Sequence, residues 1–369
     1  MAHWIDSDVK LVEMLDKLKS ATVLAVDTEF IRTNTFYPKI ALIQISNGID
    51  CWLIDVLAVE DFTGLKSLLE SPDRQLIFHA CAEDLEVLEY ALGIVPTTIF
   101  DTQIAAGICN IGYSMGYARL VKAVFDVELD KDETRSDWLA RPLTSRQLQY
   151  AAADVFYLHK LHELLSQNLK DQDREDWFKE ESLAVYAMVA GRKESDDYYM
   201  RIKTAWKLEQ GALKILKRLC IWRERTARAR NKPRGHIVKD NSLVEIARRK
   251  PTSLPHLGGV DDLHPGLIKR YGLDLLVQVD AANSDVDIDV LPQPLTKAEV
   301  VVLKAMRNSL ISVAESTSVP QEFLFSKKDL EFILRGAIAG HDQWPRRFTS
   351  GWRESLVIPE LKKTLSELM

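Results

Sequence analysis

Thr22-Val-Leu-Ala-Val-Asp-Thr-Glu-Phe30 sets the architecture of the first half of the chain. Val23 to Val26 form a short apolar run rich in β-branched residues, which reads as a buried strand. The run gives way to Asp27 and Glu29, and residues two apart in an extended backbone project to the same side. On the N-terminal side, Val9, Leu11, Val12, Leu15 and Leu18 recur at helical spacing, and Ser20 breaks the pattern. On the C-terminal side, two further apolar runs, Ile40 to Ile45 and Cys51 to Ile54, flank Asn47-Gly48, the strongest short signal for a hairpin. Helix is then predicted over Phe62 to Leu69, strand over Gln75 to Phe78, and helix over Ala82 to Leu92, where Gly93 ends it. Thr144-Ser-Arg-Gln147 fits a capping box that opens a helix running through Tyr150, Asp154 and Tyr157. Alternation of this kind predicts an α/β domain on a mixed sheet: the hairpin gives antiparallel neighbours, and a helical crossover gives a parallel one.

With 369 residues and 46% hydrophobic content, the chain can bury two or three cores. Apolar periodicity lapses across Gly191-Arg-Lys-Glu-Ser-Asp-Asp197, and the residues beyond it carry helix signals with almost no strand signal. Leu208, Ala212, Ile215, Leu219 and Trp222 form one apolar helix face, so Trp206 and Trp222 are expected in a core. A second lapse, Ala281 to Pro294, mixes acidic residues with proline and reads as a linker. Domains are therefore expected at residues 1–200, 201–283 and 284–369, the last two helical.

The net charge of −6 conceals a division. Between Arg201 and Lys250 there are 16 Lys and Arg against 4 Asp and Glu, so this segment carries +12 and the remainder −18. A basic segment on an acidic protein suits phosphate backbones. Its densest part, Arg223 to Arg234, nominates Arg228, Arg230, Lys232 and Arg234 as a non-specific clamp on nucleic acid, against the plainer possibility of a solvated helix face. Cys51, Cys81, Cys109 and Cys220 lie far apart with no zinc-ligand spacing and read as reduced, buried thiols. The first residues lack a basic stretch leading into an apolar run, and no stretch approaches eighteen apolar residues, so a cytoplasmic protein is expected. No feature marks an obligate protein partner.

Hydrolysis of a phosphodiester demands cations beside the transition state, and hard divalent ions demand carboxylate oxygens converging from several elements. Candidates occur in order along the α/β segment: Asp27 and Glu29 at the strand, Asp84 in the first turn of a helix, and Asp154 four residues after Tyr150 on one helix face. Each alone is usually a cap or a surface charge. Two of them follow apolar or small residues, Leu-Ala-Val before Asp27 and Ala-Ala-Ala before Asp154, where an unpaired charge is costly.

Four segments together resemble the ribonuclease D family: Asp27-Thr-Glu-Phe-Ile-Arg-Thr-Asn-Thr-Phe-Tyr-Pro-Lys-Ile-Ala-Leu-Ile-Gln-Ile45, His79-Ala-Cys-Ala-Glu-Asp-Leu85, Phe100-Asp-Thr-Gln-Ile-Ala-Ala106 and Leu143-Thr-Ser-Arg-Gln-Leu-Gln-Tyr-Ala-Ala-Ala-Asp154. The resemblance implies a ribonuclease H-like mixed sheet flanked by helices, followed by two all-α helicase-and-RNase-D C-terminal (HRDC) domains. It implies a 3′-to-5′ exoribonuclease that uses two Mg²⁺ or Mn²⁺ ions, bound by Asp27, Glu29, Asp84 and Asp154, and releases 5′-mononucleotides. Position 149 is Gln and position 150 Tyr, which places the chain on the tyrosine branch of the superfamily, with Tyr150 orienting the attacking water. RNA, in particular tRNA precursors and small structured RNAs, is the implied partner, with no organic cofactor. His79 reads as a structural, hydrogen-bonded residue, Asp101 as a helix cap, His159 as a surface residue, and Arg135 as either a phosphate contact or half of a local ion pair. Two alternatives stand beside this function: a DNA 3′-5′ exonuclease of the same superfamily, and a non-catalytic nucleic-acid-binding protein.

Overall fold

The computed structural model describes residues 2–130, 133, 135–191 and 195–368. Six strands form one sheet in the order β1-β4-β3-β2-β5-β6: β1 (Ala2–Ile5), β2 (Val23–Ile31), β3 (Lys39–Ser46), β4 (Cys51–Asp55), β5 (Gln75–Phe78) and β6 (Ile99–Asp101). The pair β2–β3 and the pair β3–β4 are antiparallel, whereas β1–β4, β2–β5 and β5–β6 are parallel, so the sheet is mixed as the alternating signals predict. Edge strand β1 has no counterpart among the predicted strands, because four residues ahead of a helix carry too short a pattern to read. The central strand is longer than its apolar run. β2 continues through Asp27 and Glu29 to Ile31, paired with β3 in the register Asp27 opposite Gln44 and Glu29 opposite Leu42, with a register shift after Glu29.

Helix ends follow local chemistry. Ser7 accepts from the amide of Lys10 at the start of Asp8–Leu18. Gly93, at φ 74°, closes Ala82–Leu92 in the left-handed conformation that a side chain resists. Thr144 and Gln147 form a reciprocal capping box at the start of Ser145–Phe156. One face of the sheet is covered by Asp8–Leu18, Thr63–Leu69 and Ala82–Leu92, whose Leu11, Met14, Leu65, Leu85 and Leu88 pack with Leu24, Val26, Ile43 and Ile45. Over the other face lies Ser145–Phe156, whose Ala151 and Val155 share a core with Ala25, Leu42 and Leu53.

By contact the chain divides into two compact units, 1–31 with 39–191 and 295–369, and 32–38 with 192–294. In the first unit, helices Lys297–Thr317, Lys327–Ile338 and Glu354–Leu368 extend the core of the α/β fold. Arg174 donates to the carbonyls of Ile108, Thr317 and Ser318, and the Trp177 and Trp352 rings stack at 4.5 Å. The buried Arg353 is paired with Glu180 at 3.1 Å and with Glu181, and donates to the Phe323 carbonyl.

The second unit is helical around Gln210–Ala229, and Ala212, Ile215 and Leu219 lie in its core as the apolar stripe predicts. Contrary to the expectation of a core position, Trp206 and Trp222 are only half-buried: Trp206 lies in the turn Ala205–Lys207 ahead of the helix, and Trp222 packs at the edge of the core. Residues 285–294 are not a free linker: Arg218 pairs with Asp285 at 2.5 Å and Lys214 with Asp287 at 3.1 Å, so their acidic side chains neutralise the basic helix. All four cysteines are buried and unbridged, and burial pushes Cys51 and Cys220 up to about 12. No helix among the described residues is long and apolar enough to cross a membrane.

Removing one member of a buried ion pair leaves its partner desolvated and unmatched, at a cost of about 3 kcal/mol. Arg353→Ala is therefore expected to lower the unfolding free energy of the unit holding the sheet by about 3 kcal/mol, read as a lower urea midpoint at an unchanged denaturant slope.

Candidate metal centre

Strand β2 sets the first two carboxylates. With Asp27 and Glu29 alternating with the buried Thr28, both acids face the side of the sheet covered by Ser145–Phe156. That helix supplies the third: Asp154 sits one turn beyond Tyr150. Carboxylate oxygens of Asp27, Glu29 and Asp154 all lie within 4.8 Å of one another. The three residues are half-buried, and among the described residues no cationic side chain is in the groups that set their ionisation.

Asp84 approaches from the first turn of Ala82–Leu92 and stands outside that triplet. It is buried and accepts a 2.5 Å hydrogen bond from the hydroxyl of Thr28, the residue between Asp27 and Glu29. Its charge is felt by Asp154 and Glu29, so it borders the group. The turn that aims it is held by Asp101, whose carboxylate accepts from the amides of Ala80 (3.0 Å) and Cys81 (2.8 Å) while capping its own helix through Gln103 and Ile104. Asp101 is thus a helix cap, as the sequence predicts, with the further task of fixing the neighbouring turn.

His79 is held from both ring nitrogens. Nε2 donates to the Met115 carbonyl and Nδ1 lies 2.9 Å from the Thr102 hydroxyl; burial pushes the ring below its ordinary pKa, and with both nitrogens engaged in the fold it is a structural residue. His159 departs from the surface role expected of it, since it is partly buried with Nε2 2.9 Å from the Ser46 carbonyl. Arg135 is exposed, and residues 131, 132 and 134 beside it lie outside the described residues. Tyr150 packs on the buried Trp138 with ring centroids 6.0 Å apart and hydrogen-bonds Asp154.

Sequence reasoning missed Thr28 and Tyr117. The Tyr117 hydroxyl donates to the Ala153 carbonyl and accepts from the Tyr157 amide, each at 3.0 Å, fixing the helix backbone next to Asp154. No spacing rule links residues 117 and 153, so only the fold reveals it. It missed Gln44 as well, fully buried opposite Asp27 with both amide atoms lacking a hydrogen-bond partner among the described residues.

The electrostatics point to a cation. Burial first, then the charge of Asp154, raises Asp27 well above the usual carboxylate range. Burial and then Asp27, Asp154 and Asp84 push Glu29 up to about 10. Burial raises Asp154 to about 7 despite the hydrogen bond from Tyr150. Crowded carboxylates without a counter-charge either keep protons or bind a cation, and an all-oxygen donor set suits a hard divalent one.

The comparisons with known proteins fit this geometry. Residues 2–170 match a family model described as a 3′-5′ exonuclease, and residues 212–278 match the HRDC domain. The chain is 37% identical to ribonuclease D of Pseudomonas paraeruginosa (strain DSM 24068 / PA7) over 358 residues, 95% of this chain and 94% of that protein. The chain belongs to the ribonuclease D family. Ribonuclease D of Escherichia coli (strain K12) is 34% identical over 98% of both chains. A crystal structure of Escherichia coli RNase D, an exoribonuclease involved in structured RNA processing, superposes with a TM-score of 0.87 at 32% identity, covering 100% of this chain and 99% of that one. Ribonuclease D proteins are 3′-5′ exoribonucleases of the DEDD superfamily, which use divalent metal, and the acidic cluster provides a place for one.

Without metal, the raised groups favour the protonated, folded protein. Their contribution is complete below the unfolded carboxylate range near ~4 and is lost as pH rises through about 7 for Asp154 and towards about 10 for Glu29. In EDTA, Asp154→Asn is therefore expected to match the unaltered chain in thermal stability near pH 4 and to exceed it progressively up to pH 8. Millimolar Mg²⁺ or Mn²⁺ should stabilise the unaltered chain and reverse the order. Parallel melting curves for the two proteins at every pH would contradict this.

Proposed function

We propose that Asp27, Glu29, Asp84 and Asp154 hold two divalent ions, Mg²⁺ or Mn²⁺, and that the site removes 5′-mononucleotides from RNA 3′ ends. The observation that carries the proposal is the convergence of Asp27, Glu29 and Asp154 oxygens within 4.8 Å, with no cationic side chain among the described residues that set their ionisation. Bound there, divalent ions supply the positive charge that makes water nucleophilic at neutral pH and stabilises the leaving oxygen.

The chain's own groups do the positioning. Asp27 and Glu29 stay aligned because they share one paired strand. Asp84 is fixed at the border of the group by the Thr28 hydroxyl on its Oδ1. Tyr150 is braced by Trp138 and aimed at Asp154, where its hydroxyl can direct the attacking water. A phenol, with a reference pKa of ~10, orients that water by hydrogen bonding and does not serve as its base.

The substrates proposed are 3′ extensions of tRNA precursors and other small structured RNAs, in the cytoplasm, in keeping with the structured-RNA role of the Escherichia coli relative. The modules proposed are an exonuclease domain over 1–200, an HRDC domain over 201–283 and an HRDC-like domain over 284–369. In the basic unit, Arg228 and Arg234 are both bound to Glu224 and lie over the Phe36 ring at 4.8 Å, while Arg230 lies over the Tyr271 ring at 5.3 Å. Arg230 and Lys232 are exposed and are the members of the proposed clamp most able to meet phosphate.

With 3′-extended tRNA and Mn²⁺, stepwise shortening from the 3′ end is expected; none from the unaltered chain would refute the activity. Asp27→Asn should reduce the rate by roughly a thousandfold or more while RNA affinity in EDTA persists. Tyr150→Phe should lower kcat at nearly constant KM, as expected for an interaction made in the transition state.

A further inference from the structure

Helix Lys297–Thr317 carries Val300, Leu303, Lys304 and Arg307 at helical spacing along one face. This face lines a groove of about 660 Å³ together with Tyr113, Gln321, Glu322, Phe325, Lys327 and Leu330, all within the unit that holds the sheet. Its floor is apolar. Its rim carries three cations, Lys304, Arg307 and Lys327, against one acid, Glu322.

Two features fit this groove to a polyanion. The first is charge left open: Lys304 and Arg307 make no ion pair or hydrogen bond among the described residues, as Arg230 makes no ion pair in the basic unit, where Arg218, Arg223, Arg228 and Arg234 are matched with Asp285, Asp240 and Glu224. Lys327 has only a surface pair with Glu331. The second is an aromatic ring in solvent. Tyr113 lines the groove with 48% of its surface exposed, its ring perpendicular to that of Phe323 at 5.3 Å.

Tyr113 also ties the groove to the reactive centre. Two residues on, the Met115 carbonyl receives His79 and Gln103, and two further on Tyr117 anchors the backbone beside Asp154. Four residues of chain span no more than about 14 Å. An exposed aromatic ring with unmatched cations on an apolar floor is how single-stranded nucleic acid is held, by base stacking and phosphate neutralisation.

We infer that this groove binds the single-stranded stretch of RNA a few nucleotides upstream of the 3′ end, with one base on Tyr113 and phosphates on Lys304, Arg307 and Lys327. The inference rests on the proposed RNA substrate and adds where its upstream part is held. It is tested by fluorescence anisotropy of a 5′-labelled, ten-nucleotide single-stranded RNA in EDTA, so that cleavage plays no part. Tyr113→Ala should weaken binding about tenfold and Tyr113→Phe should restore it, since stacking needs the ring alone. The double variant Lys304→Gln/Arg307→Gln should lower the slope of log affinity against log salt by about 1.4. For a blunt duplex of the same sequence, whose bases are already stacked, Tyr113→Ala should cost little. Unchanged affinity and salt slope in these variants, or an equal loss on duplex and single strand, would overturn the inference. Lost groove binding in the variants together with no cleavage by the unaltered chain would leave it standing and remove the activity instead.

Discussion

A repulsion governs the catalytic unit. Asp27, Glu29 and Asp154 are held within 4.8 Å of one another in a partly desolvated cleft, and folding alone does not relieve the cost of charging them together. The fold sustains the arrangement because each carboxylate rides on a rigid element. Two share the central strand, fixed in register on β3, and the third sits on a helix whose Ala151 and Val155 are buried against that sheet. A divalent ion bound there would convert the crowding into binding energy.

Around this centre the supporting contacts have a common purpose, to stop the acids from moving apart. Thr28 keeps Asp84 at the border of the group, Asp101 fixes the turn from which Asp84 projects, and Tyr117 pins the backbone at Ala153. The final helices belong to the same design, since Arg353, Trp352 and Arg174 tie them to the helices packed on the sheet.

Much of this is legible in the residues because it is local. The apolar run before Asp27, Asn47-Gly48, the Thr144–Gln147 box and Gly93 each specify a short piece of backbone, and the pieces compel a mixed sheet with helices on both faces. Alternation likewise places Asp27 and Glu29 on one side, and helical spacing places Tyr150 beside Asp154. Tertiary partnerships are not legible. Nothing near Thr28 announces Asp84, 56 residues away. The acidic stretch from Asp285 reads as a linker until its side chains are seen on Arg218 and Lys214. The stretch after Asp27-Thr-Glu29 is no more legible: Asn231 accepts from the amides of Phe36 and Tyr37, so those residues belong to the packing of the helical unit.

Whether the acids converge in order to share metal is decided by anomalous diffraction from crystals soaked in Mn²⁺. Manganese peaks are expected in the space bounded by Asp27, Glu29 and Asp154, with Asp84 turning an oxygen towards one of them. Peaks elsewhere on the protein, or density at the triplet in which the carboxylates remain protonated and hydrogen-bonded to each other, would contradict a metal-sharing role.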